Sequence, residues 1–240
     1  MRNTLLLATF STLVLLACSP AAETPNVLTS EEQQAGWKLL FDGKTLEGWH
    51  LYNQGKQASA WKVENGELVY SADSAHVEHE DLVTDQEFEN YDFRFEWKIS
   101  EEGNSGVFIN VVEREDIPTA WASGPEYQLL DSLHPDYATH VKKRPGCLYN
   151  FSAQLEPVPA RPAGEWNQGR IVQQNGAVRF YLNDRLTAEQ DLTSPAWKEM
   201  IAASGFSYFP DFGKVTKGRI GLQKWYKKVA FRNLKMKENP

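Results

Sequence analysis

The ten residues Tyr91-Asp92-Phe93-Arg94-Phe95-Glu96-Trp97-Lys98-Ile99-Ser100 alternate apolar and polar without a break. In a strand, Tyr91, Phe93, Phe95, Trp97 and Ile99 share one face, and Asp92, Arg94, Glu96 and Lys98 share the other. A helix would scatter both sets. Such a strand belongs to a sheet with one buried face and one wet face. The same period recurs in Ser105–Glu113, where Val107, Ile109 and Val111 are expected inward and Phe108 and Asn110 opposite. Asn65-Gly66 and Asn175-Gly176 each sit between alternating runs and predict tight hairpins. The stretch from Gly218 to Lys237 predicts two more strands, with Ile220 and Leu222 buried.

Helical pattern is confined to two places. SPAWKEMIAASG predicts a helix capped by Ser194 and stopped by Gly205, and TSEEQQAG predicts one turn capped by Ser30 with Gln33. Many strands and few helices predict an all-β fold, a β-sandwich or jelly roll with one or two short helices, in a single domain over residues 36–238. The eight Trp, nine Tyr and twelve Phe suit strand packing, and they also suit stacking on sugar rings. The net charge of -7 argues against a nucleic-acid partner.

The first residues have another purpose. Arg2 precedes an apolar run that ends at Ala17, too short for a comfortable membrane span. Residues 1–17 are therefore expected to be a signal peptide. Leu15-Leu16-Ala17-Cys18 resembles a bacterial lipobox, with Cys18 lipidated and residues 18–35 serving as a tether. This predicts a protein anchored in the bacterial cell envelope, at the outer membrane facing the periplasm if the cell is Gram-negative. The remaining cysteine, Cys147, is expected to be a small buried residue.

Chemistry concentrates in GPEYQLLDSLH, Gly124–His134. On a strand, Glu126, Gln128 and Leu130 point one way and Tyr127 and Leu129 the other. The bland alternative to a site is a solvated face. Asp131 and His134 form a candidate pair for a divalent ion, and equally suit a turn cap and a surface loop residue. His76 and His79, with Glu78 and Glu80, give a looser cluster that reads as an exposed loop. Sandwich glycosidases place two carboxylates across the sugar bond. Here Gln128 stands where the second acid is needed, and Asp131 has the wrong parity, so the match to two-carboxylate hydrolysis is poor.

Phe41–Trp49 (FDGKTLEGW), Trp61–Leu68, Gly103–Phe108 (GNSGVF), GPEYQLLD with His134, Gly146–Phe151 (GCLYNF), Glu165–Ile171, Gly218–Gln223 (GRIGLQ) and Phe231–Lys237 resemble, in order and spacing, the 3-keto-disaccharide hydrolase family. The resemblance covers about residues 36–237 and implies a concanavalin-like β-sandwich. It also implies substrates oxidised to a ketone at C3 of the sugar. A base would take the acidified C2 proton, the C1 aglycone would leave by elimination, and water would add back. On that basis Glu126 and His134 are the catalytic candidates, with Asp131 or Glu126 orienting His134. Asn104, Ser105, Gln128, Asn167 and Gln223 are candidates for sugar hydroxyls, and Lys142 or Lys143, with Tyr149, for the ketone. Trp121 or Trp225 is placed for stacking on a ring. A divalent ion at His134 and Asp131 is a candidate cofactor. The chain departs from the family after GLQ, where Lys224-Trp225 replaces an acidic residue and His. That departure keeps a non-catalytic carbohydrate-binding lipoprotein as the alternative reading, and a conventional glycosidase as a weaker one.

Overall fold

The computed structural model describes residues 24–239, so the expected signal peptide and Cys18 lie outside the described residues. Two antiparallel sheets form the sandwich. The larger is built from β1 (Lys38–Leu39), β3 (Trp61–Glu64), β4 (Glu67–Ser71), β6 (Tyr91–Ile99), β9 (Asn167–Gln174), β10 (Ala177–Leu182), β11 (Arg185–Asp191) and β13 (Lys228–Glu238). Their order is β11-β10-β9-β6-β13-β4-β3, with β1 also pairing β13. The smaller sheet contains β2 (Trp49–Leu51), β5 (Leu82–Thr84), β7 (Asn104–Val111), β8 (Glu126–Leu130) and β12 (Arg219–Leu222), in the order β2-β5-β12-β7-β8. The fold is thus the all-β sandwich that the alternation predicts, of the concanavalin-like kind that the resemblance implies.

The alternating face of β6 fills the space between the sheets. Tyr91, Phe93, Phe95, Trp97 and Ile99 are all buried, and they meet Val107 and Ile109 of β7, Tyr127 and Leu129 of β8, and Ile220 and Leu222 of β12. Tyr127 packs edge-on against Phe95 at 5.4 Å. Both Asn-Gly pairs adopt the left-handed backbone of two-residue hairpins: Asn65 and Gly66 at φ 53° and 79°, Asn175 and Gly176 at 50° and 81°.

Val111 departs from its expected face. Asn110 has φ 56°, and the β12 register slips beside it between Arg219 and Gly221. One residue of slip reverses the parity. Val111 therefore joins Phe108, Tyr52, Val83 and Ile117 in a second apolar cluster on the outer side of the smaller sheet.

Caps also shift. The first helix, α1 (Ser30–Gln34), is capped by Thr29 with Glu32, not by Ser30 with Gln33, because Thr29 supplies the oxygen for the Glu32 N–H and Glu32 reaches back. A second helix, α2 (Pro135–Thr139), has His134 as its cap and Pro135 in its first turn. The third, α3 (Pro195–Ala202), is capped by Ser194 as expected but ends at Ala203; Gly205 opens a separate 3₁₀ turn. Residues expected to be part of the tether are fastened to the sandwich. Asn26 exchanges backbone–side-chain hydrogen bonds with Asn233, and Glu32 accepts from the buried Lys235 at 2.8 Å. Cys147 is buried, and burial pushes its thiol up to about 11.

Candidate active site

The outer face of the smaller sheet carries one cross-strand polar row. Gly106 of β7 pairs with Gln128 of β8, and on its other side the Gln223 N–H donates to the Gly106 carbonyl at 2.9 Å. Leu82 pairs with Leu222, so one residue further on Asp81 stands beside Gln223. Asp81, Gln223, Gly106 and Gln128 thus cross four strands in register, with their side-chain positions on the face opposite Tyr127 and Leu129.

The glycine leaves a gap in this row, and Glu126 fills it. A Cβ at Gly106 would overlap Glu126 Oε1 and lie 2.6 Å from its Cδ. The carboxyl group therefore rests between the Gln128 and Gln223 positions. Glu126 is 8 % exposed, and its Oε1 is buried without a hydrogen-bond partner. Gln128 Oε1, Gln223 Oε1 and Asp81 Oδ2 share that condition, while Gln128 Nε2 donates to Asn104 Oδ1 at 3.0 Å. The floor of the site is rich in acceptors. Burial, and secondly the Asp81 charge, hold the Glu126 carboxyl well above the usual carboxylate range.

Above this floor lies a cavity of about 570 Å³. Residues 146–149 run along the free edge of β8, where the Tyr149 N–H donates to the Glu126 carbonyl at 3.0 Å. This places the Tyr149 ring beside Glu126. Lys143 extends to the same wall, with its ammonium 5.8 Å from the Tyr149 ring centroid and 2.8 Å from Asp136 Oδ2. Burial works to lower the Lys143 pKa, but the hydrogen bond to Asp136 holds it above the ordinary value. Burial and then the Glu126 charge raise the Tyr149 phenol. His134 Nδ1 accepts from the Asp136 N–H at 3.1 Å, which in the neutral ring leaves the proton on Nε2. This wall is rich in donors. Trp121, Phe206 and Phe209 make an apolar side, with Trp121 edge-on to Phe209 at 4.7 Å, and Trp225 stands 59 % exposed at the mouth.

Of the residues picked from sequence, Glu126, Gln128, His134, Asn104, Tyr149, Gln223 and Trp121 line this one cavity. Others do not. Asp131 Oδ2 accepts from the Glu102 N–H at 2.7 Å and from the Leu133 N–H at 3.3 Å, so its carboxylate braces the loop after β8 and does not orient His134. Ser105 lies underneath and donates to the Gln223 carbonyl at 2.8 Å. Asn167 sits on the larger sheet, where its Oδ1 accepts from Arg161 N–H and Asn183 Nδ2. Lys142 is exposed and outside the lining, since the 3₁₀ turn at Val141–Lys143 sends its neighbour Lys143 inward. His79 is a loop residue, bonded to the Tyr70 hydroxyl and the Ser74 carbonyl. Among the described residues no group of three or more His, Cys, Asp and Glu is arranged to hold a metal ion. His134 Nδ1 and Asp131 Oδ2 each accept from backbone N–H groups, and among the described residues the pair belongs to no set of three or more that could hold the divalent ion expected there.

Asp81 was invisible to alternation because it precedes a three-residue strand. Only the register through Leu82 brings it to the row. Lys224 turns away from the cavity: its Nζ donates to the His79 carbonyl at 2.9 Å, and its backbone N–H donates to Asp81 Oδ1 at 2.9 Å.

A sandwich with a polar floor, an aromatic wall and a cavity of this size suits a small saccharide. The chain belongs to the family of the 3-keto-alpha-glucoside-1,2-lyase-like domain, whose profile matches residues 36–237. It is 30% identical over 227 residues to a 3-keto-disaccharide hydrolase of Bacteroides thetaiotaomicron, covering 84% of this chain and 78% of that one. Among solved structures, a candidate glycosyl hydrolase from Parabacteroides distasonis aligns with a TM-score of 0.81 at 32% identity, over 90% of this chain and 100% of the other. A second candidate glycosyl hydrolase from the same organism gives 0.64 at 25% identity, over 85% and 99%. The protein is an enzyme of the carbohydrate hydrolase or lyase kind.

Proposed function

We propose that this protein cleaves 3-keto-glycosides by proton transfer at C2 and elimination of the C1 aglycone, with Glu126 as the proton carrier. The observation that carries the reading is the Glu126 carboxyl itself: buried, unpartnered at Oε1 and seated between an acceptor floor and a donor wall. A ketone oxygen accepts hydrogen bonds and cannot donate them, so it faces Lys143, Tyr149 and the His134 Nε2–H. The sugar hydroxyls can donate, so they face Gln128 and Gln223. In this pose C2 is turned toward Glu126.

The Glu126 carboxylate takes the C2 proton. The C2–H electron pair becomes the C2=C3 bond, and the charge moves to O3, where the Lys143 ammonium and Tyr149 hydroxyl hold it. The enolate collapses, C3=O reforms, C1=C2 forms and the C1–O bond breaks. The departing oxygen takes the proton from Glu126. Water adding at C1, with a proton returned to C2, completes net hydrolysis. A raised pKa suits this cycle, because the ionised form is a strong base and the protonated form a ready acid. Asp136 is tied to Lys143 at 2.8 Å and to His140 at 3.3 Å, which leaves it poorly suited as a second glycosidase carboxylate.

Matched glucosides, plain and 3-keto, both deuterated at C2, test the reading. The keto form is expected to be cleaved with a primary isotope effect and loss of deuterium to water, while the plain form survives. Cleavage of the plain form, or cleavage with the C2 deuterium retained, would refute it.

Envelope anchoring through Cys18 is part of the same proposal, since Leu15–Cys18 carries the lipobox pattern. Cys18→Ser is expected to move the protein from the membrane to the soluble fraction and to abolish a diacylglycerol mass on the mature N-terminus. An unmodified N-terminus in the wild type would end it.

A further inference from the structure

We propose that Asp81 is a positioning residue for Glu126: the two buried carboxyl groups lie on one polar row with Gln223 between them, and the charge on Asp81 sets how much of Glu126 stands ready as a base. The inference rests on Glu126 being the proton carrier. Asp81 occupies the end of the polar row, one position beyond Gln223, while Glu126 leans into that row across Gly106. Asp81 is 1% exposed and Glu126 8%, and each has one oxygen with no partner.

Two carboxylates in a dry site need a cation or a proton. The cations nearby are otherwise engaged. Lys224 Nζ is on the His79 carbonyl and 3.7 Å from Glu80, and Lys143 is on Asp136. Asp81 is faced by Glu80, by Lys224, whose backbone N–H bonds Oδ1, and by the Thr119 hydroxyl, which approaches without making a hydrogen bond to Oδ2. Glu126 is faced by Tyr149 and, across the cavity, by His134, Lys143 and Asp136. Burial pushes Asp81 up to about 7, and Asp81 in turn adds to the upward push on Glu126. A proton on either acid lets the other ionise. Asp81 is thus a buffer behind the floor, and it touches no substrate.

Asp81→Asn keeps an oxygen for the Lys224 N–H and removes the charge. The test follows the Glu126 carboxyl by ¹³C NMR in Glu-labelled protein, assigned with Glu126→Gln, alongside the pH profile of kcat/KM on a 3-keto-glucoside. The variant is expected to lower the Glu126 midpoint by about one pH unit or more. The acid limb of the rate profile should move with it, and KM should stay. A Glu126 titration superimposable on wild type, or a uniform rate loss with a fixed acid limb, overturns the proposal. Should the variant fail to fold, the wild-type resonance decides: a two-step titration supports the coupling and a single step refutes it. If Glu126→Gln stays active while the coupled titration is present, the base assignment fails and the pairing stands.

Discussion

Glu126→Gln is expected to lower kcat on a 3-keto-glucoside by about 100- to 10,000-fold, with little change in KM. Gln has nearly the same shape, so it can occupy the gap over Gly106 and keep the cavity floor in place. It cannot take a proton from carbon or return one to oxygen. The loss therefore belongs to the transition state and should leave ground-state binding nearly intact. Stability moves the other way. Burial holds the folded-state pKa of Glu126 well above its ordinary 4.5, so the folded protein binds more protons than the unfolded chain between those two values. Stability therefore falls as pH rises from about 4.5 through the folded pKa, by about 1.4 kcal/mol for each pH step of one across that interval. Glu126→Gln should flatten that part of the profile. The share that Asp81 owes to its own burial, which pushes its pKa up to about 7, stays. Urea midpoints at several pH values, read beside kcat, check both halves. A variant that retains activity would sink the catalytic assignment, and an unchanged pH slope would sink the account of its burial.

The sequence carried the core more openly than the site. One face of β6 is five apolar residues in strict alternation, and all five are buried, because a strand between two sheets has no other place for them. The Asn-Gly hairpins were legible for a similar reason, since few other pairs accept left-handed backbone at both positions. Alternation also brought Glu126 and Gln128 to one face. It failed at Val111, where the bulge at Asn110 changes parity, and bulges have no fixed residue signature. It could not choose between Lys142 and Lys143, because a 3₁₀ turn decides which of two adjacent lysines points inward. Asn167 shares the polar character of the site residues but belongs to the other sheet, which is a matter of strand order and not of local pattern. Asp81 needed two registers, β5 on β12 and β12 on β7, before it stood near Glu126. Residues brought together by pairing between distant strands are the ones a single sequence conceals.

Gly106→Ala should be nearly as damaging as loss of the carboxyl, although it adds only one methyl group. The new Cβ would overlap Glu126 Oε1 and approach its Cδ and Cγ at 2.6 and 2.7 Å. The backbone of β7 is held on both sides, by Gln128 of β8 and by the Gln223 N–H, so the strand cannot retreat. Glu126 must swing toward the cavity and leave its seat between Gln128 and Gln223. A misplaced proton carrier costs about 100-fold or more in rate, and a more hydrated carboxyl should titrate nearer its ordinary value. Overpacking should also cost about 1–3 kcal/mol of stability. A double-mutant cycle isolates the cause. Gly106→Ala in a Glu126→Ala background has no carboxyl to displace, so most of its stability penalty should vanish, leaving a coupling of about 1–2 kcal/mol between the two positions. Equal penalties in both backgrounds would mean that the glycine serves the strand and not the acid. The bare position at Gly106 would then no longer explain where Glu126 sits.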